Sequence, residues 1–140
     1  MPQTELFWLI FTDTFTTNLA FIINNEMAIW VAPKLTNLPK ETILQIAFAS
    51  VFCSSICNYL FGIVISNIFG KVTRGNNQAS QNIGIVKDSF DNFGLLILVI
   101  GFIPVYSKLV VVFAGFCRYK IIRVLVIVSI VKTLFYAYFQ

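Results

Sequence analysis

From Ile43 to Phe69 the chain reads ILQIAFASVFCSSICNYLFGIVISNIF, without one Asp, Glu, Lys or Arg. A bilayer core needs roughly 20 consecutive apolar residues in a helix, and this run is longer. A second run, IIRVLVIVSIVKTLFYAYF at Ile121–Phe139, is interrupted only by Arg123 and Lys132. Arg123 is close enough to its end to snorkel, and Tyr136 and Tyr138 suit a membrane–water interface. Of 140 residues 58% are hydrophobic and 11% charged, against roughly 25% charged in soluble proteins. That shortage cannot clothe a water-facing surface, so the fold class expected is an all-α integral membrane protein in a single domain, 1–140.

The same composition excludes much chemistry. There is no His, so imidazole bases and His metal sites are ruled out. No Ser nucleophile motif or metal-ligand cluster is present, and neither an enzyme nor a cofactor is expected. The net charge of +4 is not concentrated in a basic cluster long enough for nucleic acid. It reads as orientation signal, through the preference of Lys and Arg for the cytoplasmic side. No Lys or Arg precedes Lys34, so the positively charged start of a cleaved signal peptide is missing. Cys53 and Cys57, four apart, stack on one helix face. With Ser50, Ser54 and Ser55 they form a small-residue stripe for close helix approach.

Two regions are apolar but too short to span. Phe93–Ile103 and Leu109–Cys117 would reach about 16 and 13 Å as helices, each roughly half of a 30 Å hydrocarbon core. Pro104 ends the first, and Ser107 is a suitable N-cap for the second. The segment 93–117 therefore reads as a re-entrant hairpin, with a kinked full span as the alternative. The stretch 6–33 repeats the pattern: an apolar run carrying Asp13, four Thr and Asn18, an Asn24-Asn25-Glu26 turn, then a short MAIWVA closed by Pro33. The layout is hairpin (6–33), span (43–69), polar cytoplasmic loop (70–92, with a short surface helix near Ile83–Phe93), hairpin (93–117), span (121–139). It is an inverted repeat of hairpin plus helix. It places Lys71, Arg74, Lys87, Arg118, Lys120 and Arg123 on one side, against Lys34 and Lys40 on the other. Four full spans would divide these charges more evenly. Both termini then lie outside the cytoplasm.

Asp13, Glu26, Lys108 and Lys132 are charges at membrane depth, each costing about 2.5–3.5 kcal/mol to insert. They either line a functional polar cavity or pair with one another and fix the packing. If Ser107 caps a half-helix, Lys108 lies in its first turn, where the macrodipole repels a cation and desolvation favours the neutral amine. A charged Lys108 then needs an anion: Glu26 at the opposite tip, a lipid phosphate or, more weakly, Asp13. Arg118, Lys120 and Arg123 suit interfacial anchors. Asn58 and Tyr59 suit interhelical hydrogen bonds or ligand contacts.

FIPVYSKLVVVFAGFCR resembles the second hairpin of the DedA superfamily, whose shared unit is the VTT or SNARE-associated domain. The shared features are Pro104, a polar turn at Ser107–Lys108, Ala114–Gly115 and Arg118. The short YqaA-like branch is most similar: it ends in a Lys and an aromatic, as in VKTLFY (131–136). It has a Gly-Ser-Glu turn where this chain has Asn24-Asn25-Glu26, and an Asn-Tyr followed by Gly, here Asn58, Tyr59 and Gly62. The resemblance covers nearly the whole chain through short motifs in matching order. It implies a multi-pass bacterial inner-membrane (plasma-membrane) protein that translocates polyprenyl-phosphate carriers or phospholipids, with ion coupling. The implied partner is a membrane lipid with a phosphate-bearing headgroup, met in a polar slot between opposed hairpins. Asp13, Glu26, Asn58, Tyr59, Ser107, Lys108, Arg118 and Lys132 are the candidates for that slot. Three positions depart from the branch. Ser107-Lys108 replaces Gly-Asp, Phe135 replaces an Arg, and Val131 replaces a Gly. The alternative is therefore a non-transporting structural or assembly protein that has lost the transport residues.

Overall fold

The uncharged run forms the middle of one continuous helix, Lys40–Val72, which packs against three of the other four described helices. The computed structural model describes residues 3–20, 31, 34, 39–72, 77–100 and 104–139. Among these the chain is all-helical: α1 (Gln3–Thr17), α2 (Lys40–Val72), α3 (Asn77–Ile100), α4 (Pro104–Phe116) and α5 (Ile121–Phe139). Helices α2 and α5, of 33 and 19 residues, are long and apolar enough to cross a membrane. Helices α1 and α4 have 15 and 13 residues, about 22 and 20 Å, too short for a 30 Å core unless joined end to end.

The burial pattern sets the order of layers. One apolar cluster joins Ile10 of α1, Ile43, Ile46, Ala47 and Val51 of α2, and Tyr136 of α5. A second joins Tyr59 of α2, Phe90 of α3, Val111 and Ala114 of α4, Cys117, and Val124 and Val128 of α5. Between the two lie buried polar residues, among them Thr14, Asn18, Asn58, Ser129 and Lys132. Helices α1, α2 and α4 run one way through these layers and α5 runs back. Helix α1 belongs to the first cluster alone and α4 to the second alone, so each flanks half the length of α2. The outward surface is apolar: Phe48, Leu60, Val64, Ile122, Ile130 and Leu134 are exposed. On α1, Phe7, Phe11 and Phe15 stack one turn apart with nearly parallel rings.

Three expectations are corrected in detail. Cys53 and Cys57 are exposed, while Ser50, Ser54, Ser55, Asn58 and Gly62 are buried. Spacing of four defines a face but not which face turns inward, and the glycine and Asn58 decide it. Ser107 is not a helix cap, because α4 already begins at Pro104. Proline's missing N–H and fixed φ suit the first helical position, and this moves Lys108 into the second turn. The polar stretch 70–92 is helical from Asn77 onward. Ile83, Lys87, Phe90 and Gly94 recur every three or four residues and form the more buried face of α3. Of the first hairpin only the α1 arm is described; Glu26, the 24–26 turn and most of 27–33 lie outside the described residues.

Helix α3 and the end of α4 meet at one end of the bundle. The Phe90 and Tyr119 rings sit edge to face there, with centroids 5.4 Å apart. Helix α4 ends with Arg118 at φ 54°. The Arg118 N–H donates to the Gly115 carbonyl at 3.0 Å and the Tyr119 N–H to the Ala114 carbonyl at 2.9 Å. This is a Schellman closure, made with Arg where Gly is usual. The left-handed backbone costs a non-Gly residue about 1–2 kcal/mol.

The tightest crossing is α2 on α4, and it is backbone against backbone. A Cβ on Gly62 would overlap the Val112 carbonyl oxygen and lie 2.8 Å from the Phe116 nitrogen. A Cβ on Gly115 would overlap the Tyr59 carbonyl oxygen. Small residues at such crossings let helix backbones touch. Gly62→Ala and Gly115→Ala should each lower stability by about 3 kcal/mol or more, since no rotamer can clear a backbone clash. Gly84→Ala, with open space around it, should raise stability by up to about 1 kcal/mol through helix propensity. Thermal unfolding of the three variants checks this contrast.

Candidate functional site

Helix α1 ends inside the bundle, and its end has to be satisfied there. The last carbonyls of a helix have no intrahelical donors, and they carry the negative end of the macrodipole. Local threonines serve the preceding turns: the Thr17 hydroxyl donates to the Asp13 carbonyl at 2.7 Å and the Thr16 hydroxyl to the Thr12 carbonyl at 2.8 Å. The end itself takes donors from three other helices. Lys108 Nζ of α4 donates to the Thr17 carbonyl. Asn58 Nδ2 of α2 donates to the Asn18 carbonyl at 2.9 Å, and its Oδ1 accepts the Ala20 N–H at 2.9 Å. Lys132 Nζ of α5 donates to Asn18 Oδ1, while Asn18 Nδ2 returns to the Thr14 carbonyl at 2.7 Å.

Thus Asn58, Lys108 and Lys132 converge on one point, with Ser107 buried beside Lys108 on α4. Asp13 is half-buried one turn back along α1. The acceptor found for Lys108 is a backbone carbonyl at a negative helix end, an option that side-chain chemistry alone does not suggest. The carboxylate weighed for that role, Glu26, lies outside the described residues. Two candidates lie elsewhere. The Tyr59 hydroxyl donates to the Tyr119 carbonyl at 2.6 Å and ties α2 to the α4–α5 turn. Arg118 is exposed at that same end, where its Nη2 donates to Asn67 Oδ1 at 2.7 Å.

Sequence reading missed Asn18, Thr14, Thr17 and Ser129 as site residues. Asn18, four residues after Thr14 in an apolar run, is the available signal, since Asn favours a helix end over a helix interior. Ser129, three residues before Lys132, shares its face of α5. Thr14 Oγ1 and Ser129 Oγ are buried without a hydrogen-bond partner, and such groups in a native fold ask for an explanation. Among the described residues no three His, Cys, Asp or Glu side chains gather as a metal would require. What the site offers is hydrogen-bond donors: each lysine nitrogen carries up to three when protonated.

These features define a helical bundle with a buried polar layer built around the end of α1. Comparison with known proteins finds similarity to the uncharacterized protein RP436 of Rickettsia prowazekii (strain Madrid E). It is 28% identical over 137 residues, covering 98% of this chain and 96% of that protein. No family model matches the chain, and no solved structure matches it.

Asn58→Leu should destabilise strongly, because it leaves the Asn18 carbonyl and the Ala20 N–H buried and unpaired, at about 1–3 kcal/mol each. Ser129→Ala removes a hydroxyl that has no partner and should be neutral or mildly stabilising. Thermal unfolding of the pair separates a partnered polar group from an orphaned one.

Proposed function

We propose that this chain is a multi-pass inner-membrane protein that carries a phosphate-bearing lipid headgroup through its buried polar layer, in the manner of the DedA-type translocases it resembles. One observation supports this above the rest. Two lysines from separate helices meet the carbonyl end of a helix that stops halfway along the bundle. The distribution of apolar surface favours lipid as the solvent, since large aliphatic and aromatic side chains face outward while Asn, Ser, Thr and Lys face inward.

The chemistry follows from the parts. Helix α1 stops where α4 begins its first turns, so two half-length helices together match the reach of α2. Broken helices whose ends meet near the midplane are a recurrent basis for transporter sites. Lys108 and Lys132 hold the α1 end, and a phosphate oxygen is a stronger, charged acceptor for the same donors. A headgroup entering the layer would take these donors from the carbonyls. On leaving it would return them, and Asn58 would hold the Asn18 carbonyl at both stages. The acyl chains would remain against the apolar exterior. The orphaned Thr14 and Ser129 hydroxyls supply further hydrogen-bond capacity in the same layer.

The membrane placement has its own check. Cys53 and Cys57 are exposed on α2 and Cys117 is buried. In intact membranes a lipid-soluble maleimide should label Cys53 and Cys57, while a charged, water-soluble thiol reagent should label neither. Rapid labelling of both by the charged reagent would show that this face meets water.

Transport is tested in vesicles carrying fluorescently tagged phosphatidylglycerol, with bleaching of the outer leaflet reporting flip-flop. Wild type should speed exchange over empty vesicles. Lys132→Met and Lys108→Met, which keep side-chain length, should return it to the empty-vesicle rate, and Lys40→Gln should not. Wild-type protein that reconstitutes in folded form yet gives no exchange would establish the structural or assembly reading.

A further inference from the structure

At the end of the bundle opposite the α1 N-terminus, a cavity of about 470 Å³ is lined by Ser66, Asn67, Gly70, Lys71, Lys87 and Arg118. Three of these six residues are cationic and none is acidic. They come from three different elements: the last turns of α2, the middle of α3, and the turn after α4. In sequence they are scattered, and only the fold collects them. Among the described residues neither Lys71 nor Lys87 has a hydrogen-bond or ion-pair partner. Asp91 lies one turn from Lys87 on α3 but does not line the cavity. Arg118 commits one of its five donors to Asn67, which fixes one side of the guanidinium group. Its left-handed backbone holds the side chain at this place at a conformational cost, as is common where a residue serves a ligand.

Like charges around one cavity disfavour one another, and an anion removes that penalty. The chemistry matches a phosphate: a planar guanidinium with paired donors, two ammonium groups, a hydroxyl and an amide. Gly70 leaves the cavity open, since nothing outside its own stretch of helix lies within 4 Å of where a Cβ would stand. At the same level, on the other side of α2, the helix surface is apolar and exposed, with Ile68 at 55%, Phe69 at 53% and Val72 at 79%. A polar pocket at the level of an exposed apolar helix surface marks the depth where a headgroup meets its acyl chains.

We infer that this cavity is a binding site for the phosphate of an anionic phospholipid, separate from the central polar layer. The inference rests on the membrane placement proposed above but not on transport. The lipid would sit as a tether at the end of the bundle, its phosphate between Lys71, Lys87 and Arg118. Basic pockets at helix ends on the cytoplasmic side hold headgroups in this way.

Native mass spectrometry of the full chain in a neutral detergent tests the site, with dioleoylphosphatidylglycerol, dioleoylphosphatidylcholine and inorganic phosphate as separate titrants. One phosphatidylglycerol should bind about tenfold more tightly than phosphatidylcholine, a difference of about 1.4 kcal/mol. The double variant Lys71→Gln, Lys87→Gln should lose that preference while keeping the wild-type melting temperature in lipid-free detergent. Lys40→Gln, at the other end of α2, should retain it. Equal binding of the two lipids by wild type, or an undiminished preference in the double variant, would overturn the site. Inorganic phosphate that displaces phosphatidylglycerol at equal concentration would overturn the lipid assignment in favour of a free phosphate. Failure of the chain to enter membranes would appear separately, as loss from the membrane fraction on alkaline extraction, and would remove the placement itself.

Discussion

The contact of Gly62 with the Val112–Phe116 backbone sets the level of everything else. With the two helices locked in register there, Asn58 lies one turn below the crossing on α2 and Lys108 about one turn below Val112 on α4. Both therefore reach the height at which α1 ends. The same register carries Asn67 and Arg118 to a common level above the crossing, where they bond. A shift of α4 by a single turn, about 5.4 Å, would separate both pairs together. The two polar regions are thus positioned by a contact in which neither takes part.

The buried polar layer is coherent because it answers a backbone need. A helix that stops inside a bundle leaves carbonyls that water cannot reach, and a buried unpaired group costs about 1–3 kcal/mol. Asn58 and the two lysines meet that need directly, and Asn18 extends it by turning its own side chain back onto Thr14. Helix α4 runs in the same sense as α1 and brings Lys108 to the negative end of α1. A helix C-terminus attracts a cation, and this offsets part of the repulsion that Lys108 meets near the start of its own helix.

What can be read from the sequence follows from what side chains encode. Hydropathy marks α2 and α5, since length and apolarity are properties of the residues themselves. Asn58, Lys108 and Lys132 stand out because polar groups in apolar runs are costly wherever the chain goes. The partner of Lys108 is hidden, because a carbonyl acceptor carries no residue signature. The inward face of α2 is ambiguous in sequence, since cysteine and serine are alike in size. It is fixed by Gly62, whose role appears only once α4 is laid against it. Pro104 reads as a helix stop because a proline ends the helix before it, yet it equally begins the one after. The extent of α3 is masked by polar residues that a partly exposed helix tolerates.

The hydrogen bond from Lys132 to Asn18 joins residues 114 positions apart. The element that completes the cap on α1 therefore leaves the ribosome after α1, α2 and α4. Until α5 is made, the end of the first helix lacks one of its donors, and a prematurely terminated chain never acquires it. Contacts of such sequence separation form late, because the long loop must close first. Assembly of the polar layer is thereby tied to the synthesis of α5: chains that include it close the layer, and chains cut short before it leave the α1 end with one donor fewer.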